Sequence, residues 1–350
     1  MKSLIVMGTM LLASCGKQDP VITDTGFMHG AYISNEGSYN NSNGSISYFD
    51  IDSSKMINHV FEAVNGRPLG DVVQSFAVAG NKGFIIVTNS QKVEIVDLKT
   101  FMSLGVINGL EYPRSFLAVD SKKGYLTDGN SNGHVFVVDL ETLKITDTIA
   151  CGSGSGKMVQ FKNTVIVANA GGWGNDSTLS VIDSGIDKVI HTWNVGMNPT
   201  DLLLDKNDQL WVLCIGKVVW NPDWTIGIET ASSLVALNPQ SGSILQSQDI
   251  GAIGDFYWPL HMGTNKSRDR ILFLESGGIY SRSISKGSTA GDPMIKGNFY
   301  GFGVDPSTDQ IYSLFAPSFT TSGWMFRYQA NGIKLDSLEV GIGPSQIVFN

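Results

Sequence analysis

PSQIVFN (344–350) ends the chain, and AYISNEG (31–37) opens its first recognisable unit. The final stretch has the form of a unit's opening strand, Pro-x-x-apolar, yet no unit follows it. The opening unit lacks a strand of that form in front of it. Between the two, the same pattern recurs at Pro113, Pro199 and Pro259. Apolar runs that end in a turn recur as well. They are AYISNEG, FIIVTNS (84–90), GYLTDGN (124–130), VIVANAG (165–171), LWVLCIG (210–216), ILFLESG (271–277) and IYSLFAP (311–317), seven in all. Short apolar runs such as SFAVAG (75–80) and SFLAVD (115–120) precede them, and most are followed by two more, as in HVFVVDLETLKITDTIA (134–150). Four short strands over ~40 residues is the repeat of a propeller blade. The expectation is an all-β, seven-bladed β-propeller over residues 30–350, with the C-terminal strand completing the first blade. Such a clasp closes the ring and removes its open edges. An open solenoid or a pair of sandwiches would leave the spare last strand without a place.

Composition agrees with short strands and many turns. Of 350 residues, forty are glycine, 42% are hydrophobic and only 16% are charged. The formal net charge is −8 and no cluster of Lys and Arg stands out, which argues against a nucleic-acid partner.

The first residues, MKSLIVMGTMLLASCGKQDP, carry one lysine, then an apolar stretch from Leu4 to Ala13 that is too short to span a bilayer. Leu12-Ala13-Ser14-Cys15 resembles a lipobox, in which the cysteine is lipidated after cleavage; an ordinary signal peptide containing a cysteine is the alternative. Residues 1–15 are therefore read as a lipoprotein signal peptide, with Cys15 lipidated, and 16–29 as a linker. An outer-membrane lipoprotein, exposed at the cell surface, is the expected location. Cys151 and Cys214 form no disulfide framework, and Cys214 reads as a buried thiol.

In a four-stranded blade the loops alternate between two faces. The turns joining strands 1–2 and 3–4, such as AGNKG (79–83), DSKKG (120–124) and DPSTDQ (305–310), are short, charged and free of aromatics. The opposite set joins strands 2–3 and successive blades. It includes NEGSYNNSNG (35–44), NGLEYPR (108–114), NAGGWGNDS (169–177), IGKVVWNPDWTIGIETAS (215–232), GAIGDFYWPL (251–260), KGNFYGF (296–302) and APSFTTSGW (316–324). Five of the seven tryptophans lie in this set. An apolar surface rimmed with polar groups marks a binding site, although any single ring could instead pack against its neighbours. The expected apolar walls are Trp173, Trp220, Trp224, Tyr257, Trp258, Tyr300 and Phe319. The expected polar partners are Asn35, Gln74, Arg114, Asn169 and Asn175, with Tyr112 able to serve in either role. Gln74, Arg114, Thr200 and Tyr300 fall at one place in different copies and are expected to ring the channel together.

No catalytic set emerges. The histidines fall at different places in the repeat, and no two share metal-ligand spacing. CGSGSGKM (151–158) fails as a phosphate-binding loop, since Cys151 and Met158 stand where glycine and Ser or Thr are required. The chain is expected to be a binder rather than an enzyme, with neither a resident cofactor nor a metal.

The first-strand pattern, VIVANAG and STLSVID together resemble the YncE-like, or YVTN-type, seven-bladed propellers. NEGSYNNSNGSISYFD (35–50) is similar to the opening blade of surface lipoproteins of that kind, including the BtuG group, which captures cobalamin. The resemblance implies capture of cobalamin or a related corrinoid and its delivery to a TonB-dependent transporter, the corrinoid being cargo and not a cofactor. It assigns no individual contact residue. Capture of another small ligand or a glycan, or a role as a protein-interaction propeller, are the alternatives.

Overall fold

The computed structural model describes residues 26–223, 225–228, 230–251 and 261–350. Seven four-stranded antiparallel sheets stand around a ring, and a two-stranded hairpin, Val218–Trp220 with Ile226–Ile228, extends from the fifth. Blade 1 is made of Pro344–Phe349, Gly30–Asn35, Ser45–Asp50 and Lys55–Ile57, from the channel outwards. Blades 2 to 7 take their four strands in chain order, beginning at Val73, Pro113, Ser155, Pro199, Met262 and Gly301. The innermost strands contact one another in succession all the way round, and Pro344–Phe349 lies between those of blades 7 and 2. The expected clasp is therefore present: Ile33 pairs with Ile347, and Gly30 and Asn350 exchange backbone hydrogen bonds of 3.2 and 3.0 Å. Blade 7 fits closely there, since a Cβ on Gly301 would stand 2.0 Å from the Ser345 carbonyl oxygen.

Burial explains why the second strands were legible. Thr164–Asn169 and Leu210–Cys214 are buried along nearly their whole length because neighbouring blades cover both faces. Outer strands such as Lys188–Asn194 are mostly exposed, and they read as polar in sequence. The core is a series of inter-blade layers, and the layer between blades 1 and 2 is the most aromatic, with Tyr32, Tyr48, Phe76 and Phe101. Phe27, inside the stretch read as linker, is buried in that layer and donates its N–H to the Leu98 carbonyl. The chain between blades 1 and 2 forms one short helix, Val60–Asn65, whose Val60 and Phe61 enter the same layer.

The charged 3–4 turns are built by one repeated device. Asp97, Asp139 and Asn238 each accept backbone N–H bonds from the residues two and three positions on, and Asp183 accepts one from Gly185. Four residues after each, Phe101, Leu143, Asp187 and Gly242 take positive φ of 58, 57, 54 and 71°. These side chains shape hairpins, as Asx turns do.

Candidate ligand-binding mouth

The five exposed aromatic rings among the described residues all lie in or beside 2–3 loops. They are Tyr39, Trp173, Trp220, Phe319 and Trp324, with relative exposures of 69, 79, 59, 46 and 38%. The large apolar residues exposed elsewhere, such as Met102, Ile186 and Ile333, are aliphatic. The asymmetry between faces thus exists in three dimensions. Two rings have an inner neighbour: Trp173 tilts against Tyr112 at 5.4 Å, and Phe319 meets the edge of Tyr300 at 5.2 Å. Both inner rings come from inter-blade loops; the Trp173–Tyr112 pair joins blades 4 and 3, while Phe319 and Tyr300 both belong to blade 7.

Below them, the inner strands turn polar side chains towards the axis. Register breaks between Pro113 and Ser115, Val73 and Ser75, Pro199 and Asp201, and Pro344 and Gln346 leave Arg114, Gln74, Thr200 and Ser345 as the extra residues of bulges. A bulge re-aims a side chain out of the sheet's alternation. Arg114 donates from Nη1 to Gln74 Oε1 at 2.6 Å and lies over the Tyr112 ring at 4.9 Å. Tyr300 donates its hydroxyl to Glu36 Oε2 at 2.9 Å. Burial pushes the Glu36 carboxyl above its usual range, opposed by Tyr300, Arg114 and Ser345. Burial and the neighbouring Glu36 also push the Tyr300 phenol up. Residues from blades 1, 2, 3 and 7 therefore meet at the centre. On the other side Lys157, in the bulge of blade 4, stands 3.9 Å from Asp201 of blade 5, whose Oδ2 accepts the Met262 N–H at 2.8 Å. His261 is half-buried near them, with its Nε2 covered, and desolvation holds its imidazole below the ordinary value.

The sequence expectations divide accordingly. Gln74, Arg114 and Thr200 do share one structural place. Tyr300 reaches the centre by another route, from the loop before the unbulged first strand of blade 7. Asn35 and Asn169 are corrected: both are fully buried at the ends of second strands, inside their blades and away from the mouth's surface. Asn35 Nδ2 donates to Ser45 and Ser47, and Asn169 Nδ2 to Thr178 and Ser180. A Cβ on Gly341 would lie 2.7 Å from the Asn35 side chain, and one on Gly152 2.3 Å from that of Asn169, so each amide props the entry to its blade. Asn175 is exposed, with its Oδ1 accepting from Asn198 Nδ2 at 2.8 Å. Trp173, Trp220, Tyr112 and Phe319 sit on the mouth side as placed above. Trp224, Tyr257, Trp258 and Cys15 lie outside the described residues.

Glu36, Lys157 and Asp201 complete the floor. Their signal in sequence was position: each follows a strand end or a bulge, where an acid or a lysine has no reason to pack. Among the described residues no three His, Cys, Asp or Glu side chains gather as a metal set. Cys151 and Cys214 are both free thiols.

The chain belongs to the family described as "Domain of unknown function (DUF5074)", which matches residues 29–349. No curated protein matches it in sequence. Among solved structures it is similar to a quinonprotein alcohol dehydrogenase-like protein from Bacteroides thetaiotaomicron, with 13% identity over 92% of this chain and 78% of that one and a TM-score of 0.66. It is also similar to the periplasmic gluconolactonase of Pseudomonas aeruginosa, with 12% identity, 91% and 99% coverage and a TM-score of 0.63. A functionally unknown protein from Desulfotomaculum acetoxidans shares 9% identity over 92% and 98%, with a TM-score of 0.67. At such identities the likeness is one of fold alone.

Proposed function

We propose that this propeller is a ligand-binding protein that captures its ligand at the mouth of the ring, on the face of the 2–3 loops. The observation that carries the reading is the confinement of exposed aromatic rings to that face, above a polar floor. Exposed Trp and Tyr cost solvation unless they are covered, and stacking is what they offer a partner. The blades that hold them are rigid, which lowers the ordering cost of binding.

The finer proposal is a corrinoid as cargo, held by a protein anchored through lipidated Cys15 at the outer membrane and passed to a TonB-dependent transporter. A corrinoid is a broad disc with an amide periphery, wider than an ordinary cleft and suited to the mouth of a ring. Trp173 and Trp220 would cover its apolar edges, and Gln74, Arg114 and Tyr112 would pair with its amides. Sequence resemblance and this match of shape and chemistry support the reading. Its test is calorimetric titration of the full chain carrying Cys15→Ser with cyanocobalamin. Saturable one-to-one binding, weakened at least about tenfold in Trp173→Ala, is expected. Absence of binding removes the corrinoid and leaves capture of another small ligand or a glycan.

A further inference from the structure

Arg114 differs from Lys157, another cation of the channel among the described residues. Lys157, at the equivalent bulge of the next blade, has Asp201 beside it. Arg114 has no carboxylate within ion-pair distance among the described residues; its one side-chain hydrogen bond goes to the neutral Gln74, and its flat face rests on Tyr112. A guanidinium carries five N–H donors in a planar fork, so most of its donors remain for something else. It is half-buried, and its electrostatic reach includes Glu36 of blade 1 and Tyr300. Glu36 accepts the Tyr300 hydroxyl and acts on Arg114 only at longer range, without an ion-pair contact. From rim to axis the order is Trp173, Tyr112, Arg114, Gln74, a tilted ring pair leading to a fixed, underused cation.

We infer that Arg114 binds an oxyanion of the ligand, a carboxylate or a phosphate ester, joined to an apolar ring body that lies against Tyr112 and Trp173. The molecule as a whole carries a formal charge of −8, so diffuse attraction does not draw anions to it; the preference must be local. Gln74 fixes one edge of the fork and Tyr112 its plane, which leaves the guanidinium preorganised for two parallel N–H···O bonds. This deepens the binding reading of the mouth and does not depend on the ligand being a corrinoid.

The test uses three probes with one body: 2-naphthoate, 2-naphthyl phosphate and the neutral 2-naphthamide, titrated by calorimetry into the full chain carrying Cys15→Ser. At least one acid is expected to bind about tenfold more tightly than the amide, as a charge-assisted pair does, and the stronger acid identifies the oxyanion. Arg114→Gln should erase the difference by bringing the acid's affinity down to that of the amide measured in the same variant, and Arg114→Lys should restore part of it. Gln74→Glu, which supplies Arg114 with a carboxylate inside the protein, should also erase the preference, and it serves if Arg114→Gln does not fold. Equal binding of acids and amide, a preference that survives Arg114→Gln, or no binding of any probe would overturn the inference. Failure of cyanocobalamin to bind, with the naphthoate preference intact, would remove the corrinoid alone.

Discussion

Trp173 touches Tyr112 and otherwise faces solvent, whereas Trp211 is wholly buried and donates to Asp205 at 2.9 Å. The two tryptophans should therefore behave oppositely. Trp173→Ala is expected to change unfolding free energy by no more than about 0.5 kcal/mol, and Trp211→Ala to cost about 3–5 kcal/mol. Urea denaturation of the two variants checks this, and a large loss from Trp173→Ala would mean that the ring packs rather than waits. The two thiols give a second expectation. Burial pushes Cys151 up to about 11 and Cys214 up to about 12, so almost no thiolate exists at neutral pH. A thiol reagent at pH 8 should label buried Cys214 only at the rate of opening and half-buried Cys151 slowly, and labelling of both should become fast in urea. At this scale the sequence reading worked where exposure follows from loop composition, as for Trp173. It failed for Asn35 and Asn169, because an amide at a loop entrance looks the same whether it faces water or a pair of hydroxyls inside its blade. The distinguishing signal was relational: a hydroxyl at alternate positions of the third strand, Ser45 and Ser47 or Thr178 and Ser180, and a glycine ahead of the same blade's first strand.

Second strands were the elements most open to reading, since burial on both sides writes an unbroken apolar run. The helix Val60–Asn65 was not, because six residues with two buried side chains show no periodicity. The three-residue strands of the inserted hairpin are similarly too short to leave a pattern. Bulges could be inferred only from alignment of copies, and the extra residue in each, Gln74, Arg114, Thr200 or Ser345, is the one sent to the channel. The C-terminal strand carries the sharpest expectation. Removing residues 344–350 takes the inner strand from blade 1 and exposes two edges, in blade 1 and at the seam with blade 7. The shortened chain should lose its cooperative thermal transition or aggregate, and addition of the free peptide 344–350 should restore part of it. An unchanged transition would show that the ring does not need its clasp.

For the whole molecule, closure and acidity fix how it responds to pH. Glu94, held by Arg67, Ser103 and Lys92 against its own burial, and Asp336, held by Arg327, both sit below the ordinary carboxylate range. Their stabilisation is complete above the unfolded values and is lost as pH falls through the lowered folded ones. Tyr48 is shifted oppositely, pushed up to about 12 by burial and by Asp50, so its contribution is complete below an unfolded value of 10.0 and is lost above it. Through these groups the urea midpoint should fall below roughly pH 4 and again above roughly pH 10; a midpoint that rises below pH 4 would contradict this. The ring form itself was legible from the count of units and the spare strand, because closure is a statement about the whole chain. What the mouth binds was not, since composition of a loop face specifies stacking and hydrogen bonding but no particular molecule. The most direct test of the central claim is hydroxyl-radical footprinting with and without saturating cyanocobalamin. The account predicts protection of Trp173, Trp220, Tyr39 and Phe319, with Met102, Ile186 and Ile333 unchanged. Protection of the aliphatic residues instead, with the loop-face rings still fully reactive, would contradict it.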